Sequence, residues 1–105
     1  MDNPDTKILK EIKHAVLSVD ASAEMILFGS RARGDFKEDS DWDVLVLSDH
    51  QVNMAFKNKI TDQLFYVGLE HTICISTIIL NRNDWNSKFK NYPLRFEVDK
   101  DGVRI

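Results

Sequence analysis

At 105 residues the chain is long enough for one hydrophobic core and too short for two, so residues 1–105 are expected to form a single domain. With 43% apolar and 30% charged residues the composition is that of a globular protein, and a formal charge of −3 argues against a general nucleic-acid binder. No apolar run reaches bilayer-spanning length; a single cysteine, Cys74, excludes an intrachain disulfide, and three scattered histidines do not make a closed zinc site.

In chain order, residues 5–19 place Ile8, Leu9, Ile12, Val16 and Val19 on one helical face, with Asp5 or Thr6 positioned to cap the helix. EMILF (24–28) reads as a buried strand closed by Gly29-Ser30, and a short helix over 30–33 can follow. WDVLVL (42–47) is apolar on both faces after its acids, the pattern of a strand covered on both sides. Residues 52–68 carry Phe56, Ile60, Leu64 and Val67 at helical spacing. HTICISTIIL (71–80) is rich in β-branched residues and predicts a third strand. NDWNSKFKN predicts a short helix capped by Asn83 or Asp84. For 93–105 two readings stand: a helix bracketed by Pro93 and Gly102, or a hairpin turning at DKDG. The element order predicts a small α/β (α+β) domain, a mixed sheet of three or more strands flanked by helices.

One stretch carries chemistry. Asp41 and Asp43 alternate with Trp42 at a strand start, so both carboxylates project from one face, roughly 7 Å apart at Cα, and Trp42 points into packing. Two such acids need a cation to neutralise them, and a divalent ion with oxygen ligands, Mg²⁺ above all, suits them. Gly29 permits a sharp turn and a close approach of ligand to backbone, and Ser30 at a helix start offers N–H groups and a hydroxyl to an anion. Arg31, Arg33 and Lys37 lie on the connecting loop, where guanidinium forks suit phosphate. Two other motifs fail. Gly29 and Gly34 have P-loop spacing, but Asp35-Phe36 replaces the Lys-Ser/Thr pair. Asp39, Asp41 and Asp43 mimic a calcium loop, but Val44 stands at its glycine and His50 at its glutamate.

At Gly29-Ser30, the ten residues 31–40 and Asp41-Trp42-Asp43, the sequence resembles the minimal nucleotidyltransferase domain of the DNA polymerase beta-like superfamily. FGSRARG and SDWDVLVL around the motif are similar to that family as well. The resemblance implies the nucleotidyltransferase fold, Gly29 and Ser30 holding the triphosphate of ATP, and Asp41 and Asp43 holding two Mg²⁺ ions. It implies transfer of a nucleoside monophosphate to an acceptor hydroxyl. Stand-alone domains of this kind resemble antitoxins paired with HEPN-domain toxins, which implies AMP transfer onto a tyrosine of such a partner; the single cysteine, Cys74, sets a reducing cytoplasm as the expected location. Family members place a third carboxylate on the later strand; here Cys74 aligns with it, and Glu70 has the same strand parity. A thiol is a poor Mg²⁺ ligand. Two further functions stay open, a nucleotide- or partner-binding module with weak or no turnover and transfer to a small molecule. Base preference, acceptor and self-association are not encoded in any motif.

Overall fold

The computed structural model describes residues 4–105, in the order α1 (Pro4–Leu17), β1 (Glu24–Phe28), α2 (Ser30–Arg33), β2 (Trp42–Ser48), α3 (Met54–His71), β3 (Ile75–Asn81), α4 (Arg82–Asn86), α5 (Pro93–Asp101) and β4 (Val103–Arg104). The strands form one mixed sheet in the order β3-β2-β1-β4. β2 runs antiparallel to β1 and parallel to β3, and β4 adds a two-residue antiparallel edge to β1. The helix α3 makes the crossover that a parallel β2–β3 pair requires.

Strand alternation sorts the core into two layers. On one face Met25, Leu27, Trp42, Val44, Val46 and Ile79 pack against Ile8, Ile12 and Val16 of α1 and Ile60, Leu64 and Val67 of α3. On the other, Phe28, Leu45 and Leu47 pack against Trp85 of α4 and Val98 of α5. Val44, Leu45 and Val46 have no solvent exposure at all, so β2 is covered on both sides as its sequence predicts.

Several boundaries differ from the sequence reading. The first helix begins at Pro4, so Asp5 lies in its first turn, where it complements the macrodipole, and neither Asp5 nor Thr6 is its cap; the preceding residue lies outside the described residues. That helix ends at Leu17, with the amides of Ser18 and Asp20 closing onto the carbonyls of His14 and Val16. The third strand starts at Ile75, four residues after the predicted start. Residues 54–71 continue as helix until Thr72 adopts φ 54° and accepts the left-handed C-terminal position, its amide directed to Gly68 and Leu69. The α4 cap is Asn81, whose side chain accepts from the amides of Asn83 and Asp84; Asn83 and Asp84 themselves are inside the helix. Residues 93–101 form the helix alternative with Pro93 at its start, and the hairpin reading falls.

The two ends of the sheet are tied electrostatically. Arg82 bridges Glu24 on β1 and Asp49 after β2, and Arg104 on β4 pairs with the same Glu24. Between α1 and β2, the buried Asp20 accepts from Ser48 Oγ at 2.6 Å and from the amide and hydroxyl of Ser22. No helix among the described residues is long and apolar enough to cross a membrane.

Candidate active site

The turn after β1 is built on Gly29, buried at φ 74°, a backbone angle glycine adopts at little cost. Opposite it, the antiparallel register sets Phe28 against Asp43. The fit leaves no room for a side chain: a Cβ on Gly29 would lie 2.3 Å from Asp43 Oδ2. The sequence-distant turn and the second acid therefore meet in van der Waals contact. Ser30 follows directly and opens α2, a single turn closed by bonds from the amides of Ala32 and Arg33 to the Gly29 carbonyl. Gly34, at φ 87°, stops it.

Asp41 is exposed just ahead of β2, and Asp43 is half-buried one pleat further on. Asp43 shares its face with Leu45 and Leu47, whereas Trp42 is buried on the opposite face with Val44 and Val46. Burial, then the charges of Asp41 and Glu97, push the Asp43 carboxyl above its ordinary value; Arg33 pulls it back in part. A carboxylate disfavoured by both desolvation and like charge gains most from a bound cation. Oxygen ligands at the mouth of a glycine turn that leaves space for Asp43 fit a hard divalent ion.

The basic residues divide. Arg31 folds under the loop 34–41: its guanidinium lies 4.3 Å from the Phe36 ring centroid and 4.5 Å from that of Trp42, and donates to the carbonyls of Glu38 and Ser40. Its contacts brace the loop that delivers Asp41. Arg33 faces the acids. It donates to Asp35 at 3.3 Å and lies 3.7 Å from Glu97 of α5. Lys37 is exposed on the loop, and its amide donates to Ser40 Oγ.

No residue of β3, ISTIILN, is a carboxylate, and the register sets Ser76 beside Asp43. Cys74 is exposed just before the strand, its carbonyl accepting from the Trp42 amide between the two acids. Glu70 belongs to α3 and not to the strand. It gathers with Glu11 and His71, their ligating atoms all within 4.8 Å of one another, where His71 and Glu11 pair α3 with α1. Sequence reasoning missed Glu97, which reaches the acids only because α5 folds back over β1. It also missed a cleft of about 750 Å³ between the loop 38–40 and the C-terminal half of α3. No local signal marks either one.

The family model for the nucleotidyltransferase domain matches residues 6–100. The chain belongs to that family. Two Methanocaldococcus jannaschii proteins, each named "putative protein adenylyltransferase", are similar to this nucleotidyltransferase. One is 38% identical over 94% of this chain and 96% of its own length, the other 30% identical over 93% and 94%. Among solved structures, a "putative nucleotidyltransferase" from Sulfolobus solfataricus superposes with a TM-score of 0.61 at 25% identity, over 93% of this chain and 76% of that one. A second solved structure, also titled a "putative nucleotidyltransferase", gives 0.56 at 25% identity, covering 92% and 96%. The mixed sheet flanked by helices is thus the fold of this family, whose members use a nucleoside triphosphate and a divalent metal.

Proposed function

We propose that this nucleotidyltransferase transfers AMP from ATP to a hydroxyl of a partner protein, with Asp41 and Asp43 holding two Mg²⁺ ions and Gly29, Ser30, Arg31 and Arg33 holding the phosphates. The observation that carries the reading is the contact of Gly29 with Asp43, which brings the phosphate turn and the acid pair into one site. The acceptor oxygen bonds to the α-phosphorus, the bond from that phosphorus to the bridging oxygen breaks, and pyrophosphate leaves. The acceptor proton departs to solvent on the open side of the exposed Asp41. Bound Mg²⁺ supplies Lewis-acid stabilisation of the charge on the attacking and leaving oxygens. Asp43 orients against the turn, and Arg33 exchanges its carboxylate partners for phosphate oxygens.

Support for a protein acceptor comes from the names of the two archaeal relatives and from α3. Phe65, Tyr66 and Leu69 leave large apolar side chains more than three-fifths exposed on that helix. In this reading the partner is a HEPN-domain toxin, the protein is its antitoxin, and both work in the cytoplasm, where ATP is available.

The absence of a carboxylate on β3 favours a second reading, a module that binds nucleotide and partner with weak turnover. One assay separates the two. Incubation with α-labelled ATP, Mg²⁺ and the protein encoded beside it is expected to label that protein, and Asp43→Asn is expected to lower the rate at least ~100-fold, the scale of losing a preorganised charge-stabilising group. Partner binding without label would leave the binding module in its place.

A further inference from the structure

Glu70 stands apart from the acid site and takes part in another group. Helices α1 and α3 pack together through Ile8, Ile12 and Val16 on one and Ile60, Leu64 and Val67 on the other. Beside that seam Glu11 of α1 meets Glu70 and His71, the last two residues of α3. One donor atom from each of the three lies within 4.8 Å of the other two. The Glu11 carboxylate and His71 Nε2 are already paired, and the two side chains are only 29% and 18% exposed. A hollow of about 390 Å³ adjoins them, with Glu11, Glu70, Lys10, His14 and Gln63 in its lining.

An ion pair between His71 and Glu11 accounts for two of these residues and not for the third. Glu70 brings a second carboxylate to the same point, in the last turn of α3, at the negative end of the helix macrodipole. Lys10 contributes one positive charge to the hollow, against two carboxylates and that dipole. A divalent cation balances the group. The donor types choose among cations. One imidazole nitrogen and two carboxylate oxygens, with no thiolate, suit Zn²⁺, whereas Mg²⁺ prefers oxygen alone. Bound at about 2.0–2.1 Å, the donors of a tetrahedral ion stand roughly 3.3 Å apart. Rotation of two glutamate side chains closes the difference, with both helices held in place by the core.

We propose that Glu11, Glu70 and His71 form a Zn²⁺ site that clamps the end of α3 to α1, with water as the fourth ligand. The site does not rest on the transferase reading: it belongs to the α1/α3 layer, on the side of the sheet away from Asp43. The ion takes the place of the contact between Glu11 and His71 and draws Glu70 to the same centre. Binding requires ionised carboxylates and a free lone pair on the imidazole nitrogen, so a proton held there leaves to solvent. His71 directly precedes the left-handed Thr72, so the clamp fixes the point where the chain leaves α3 for β3.

The probes are Zn²⁺ and Co²⁺ alone, titrated into the full chain without nucleotide. One Zn²⁺ per chain is expected to bind. At ~10-fold excess over its dissociation constant it is expected to raise the melting temperature by roughly 5 °C or more. Co²⁺ is expected to show the visible bands of a four-coordinate ion with nitrogen and oxygen ligands, without the near-ultraviolet band that a Cys74 thiolate would add. Glu70→Gln changes an exposed side chain outside the core and is expected to weaken Zn²⁺ binding at least ~10-fold, with His71→Ala losing as much. His14→Ala, which removes an exposed histidine from the same hollow, is expected to leave affinity unchanged, as is Asp43→Asn.

Equal affinity in the wild type and Glu70→Gln would overturn the proposal and leave the Glu11–His71 ion pair as the whole of the contact. Loss of binding in His14→Ala or in Asp43→Asn would overturn it as well, by placing the ion on other ligands. So would a thiolate band from Co²⁺, which would move the ion to Cys74.

Discussion

At Gly29 two costs of a side chain can be told apart. An alanine there has to hold φ 74° and ψ −159°, a region essentially restricted to glycine, at a cost of about 1–3 kcal/mol. Its Cβ also collides with Asp43 Oδ2, but that oxygen ends a rotatable side chain and can swing aside. Stability therefore absorbs the second clash and the site does not. Gly29→Ala is expected to lower unfolding free energy by about 1–3 kcal/mol in urea denaturation. Nucleotide transfer is expected to fall far more than that loss implies, because Asp43 is displaced from its place. Equal activity in a variant that folds normally would show that the Asp43 orientation seen here is not the working one.

Among the elements, the loop from Gly34 to Asp41 has no regular structure and is held largely by one side chain. Arg31 stacks against Phe36 and Trp42 and binds two carbonyls of the loop, so its removal frees the segment that delivers Asp41. Arg31→Ala is expected to cost about 1–3 kcal/mol, from a charge-assisted hydrogen-bond pair and a cation–π contact partly in water. Amide exchange in residues 34–41 is expected to accelerate while β3 stays protected. Unaltered exchange there would mean that Arg31 does not hold the loop in place.

That residue also marks the limit of what the chain announces. Elements whose signal is periodic were legible: Ile8, Ile12 and Val16 made α1 visible, and the double-sided apolar run of β2 made its burial visible. The Gly-Ser and Asp-x-Asp motif was legible because its parts are local and its strands adjacent. The start of β3 was not, since Thr72 and Ile73 are β-branched like the strand, and nothing local says that a threonine will take the left-handed cap. Nor was Asn81 as a cap, because it also ends the strand. The direction of Arg31, the approach of Glu97 and the cleft beside α3 depend on how α3 and α5 settle against the sheet, many residues from the motif. Periodicity is silent about such distances.

For the molecule as a whole, acid stability centres in part on Asp20. Burial pushes its carboxyl up, but hydrogen bonds from Ser48 and Ser22 together outweigh this and leave it below its ordinary value of 3.8. The sign follows. A depressed folded-state value means that Asp20 stabilises the fold above about pH 4, and that this contribution disappears as pH falls through the lower folded value. Ser48→Ala removes the buried donor and is expected to cost about 1–3 kcal/mol at pH 7. Its further loss between about pH 5 and pH 3 is expected to be smaller than that of the wild type, because less of the depression remains to be lost. Parallel stability curves for the two proteins across that range would mean that Asp20 is not a source of the acid sensitivity.

The two-residue β4 has a consequence out of proportion to its length. Val103 and Arg104 stand opposite Leu27 and Ile26 as an antiparallel edge, and the Ile105 amide bonds to the Met25 carbonyl. Without them the outer rim of EMILF would be a bare row of amides and carbonyls in an apolar strand, a template for a stranger's backbone. A chain shortened after Gly102 is therefore expected to elute from a sizing column as concentration-dependent assemblies, although every side chain of the acid site is still present. Val103, Arg104 and Ile105 thus cover one edge of β1 that would otherwise accept a strand.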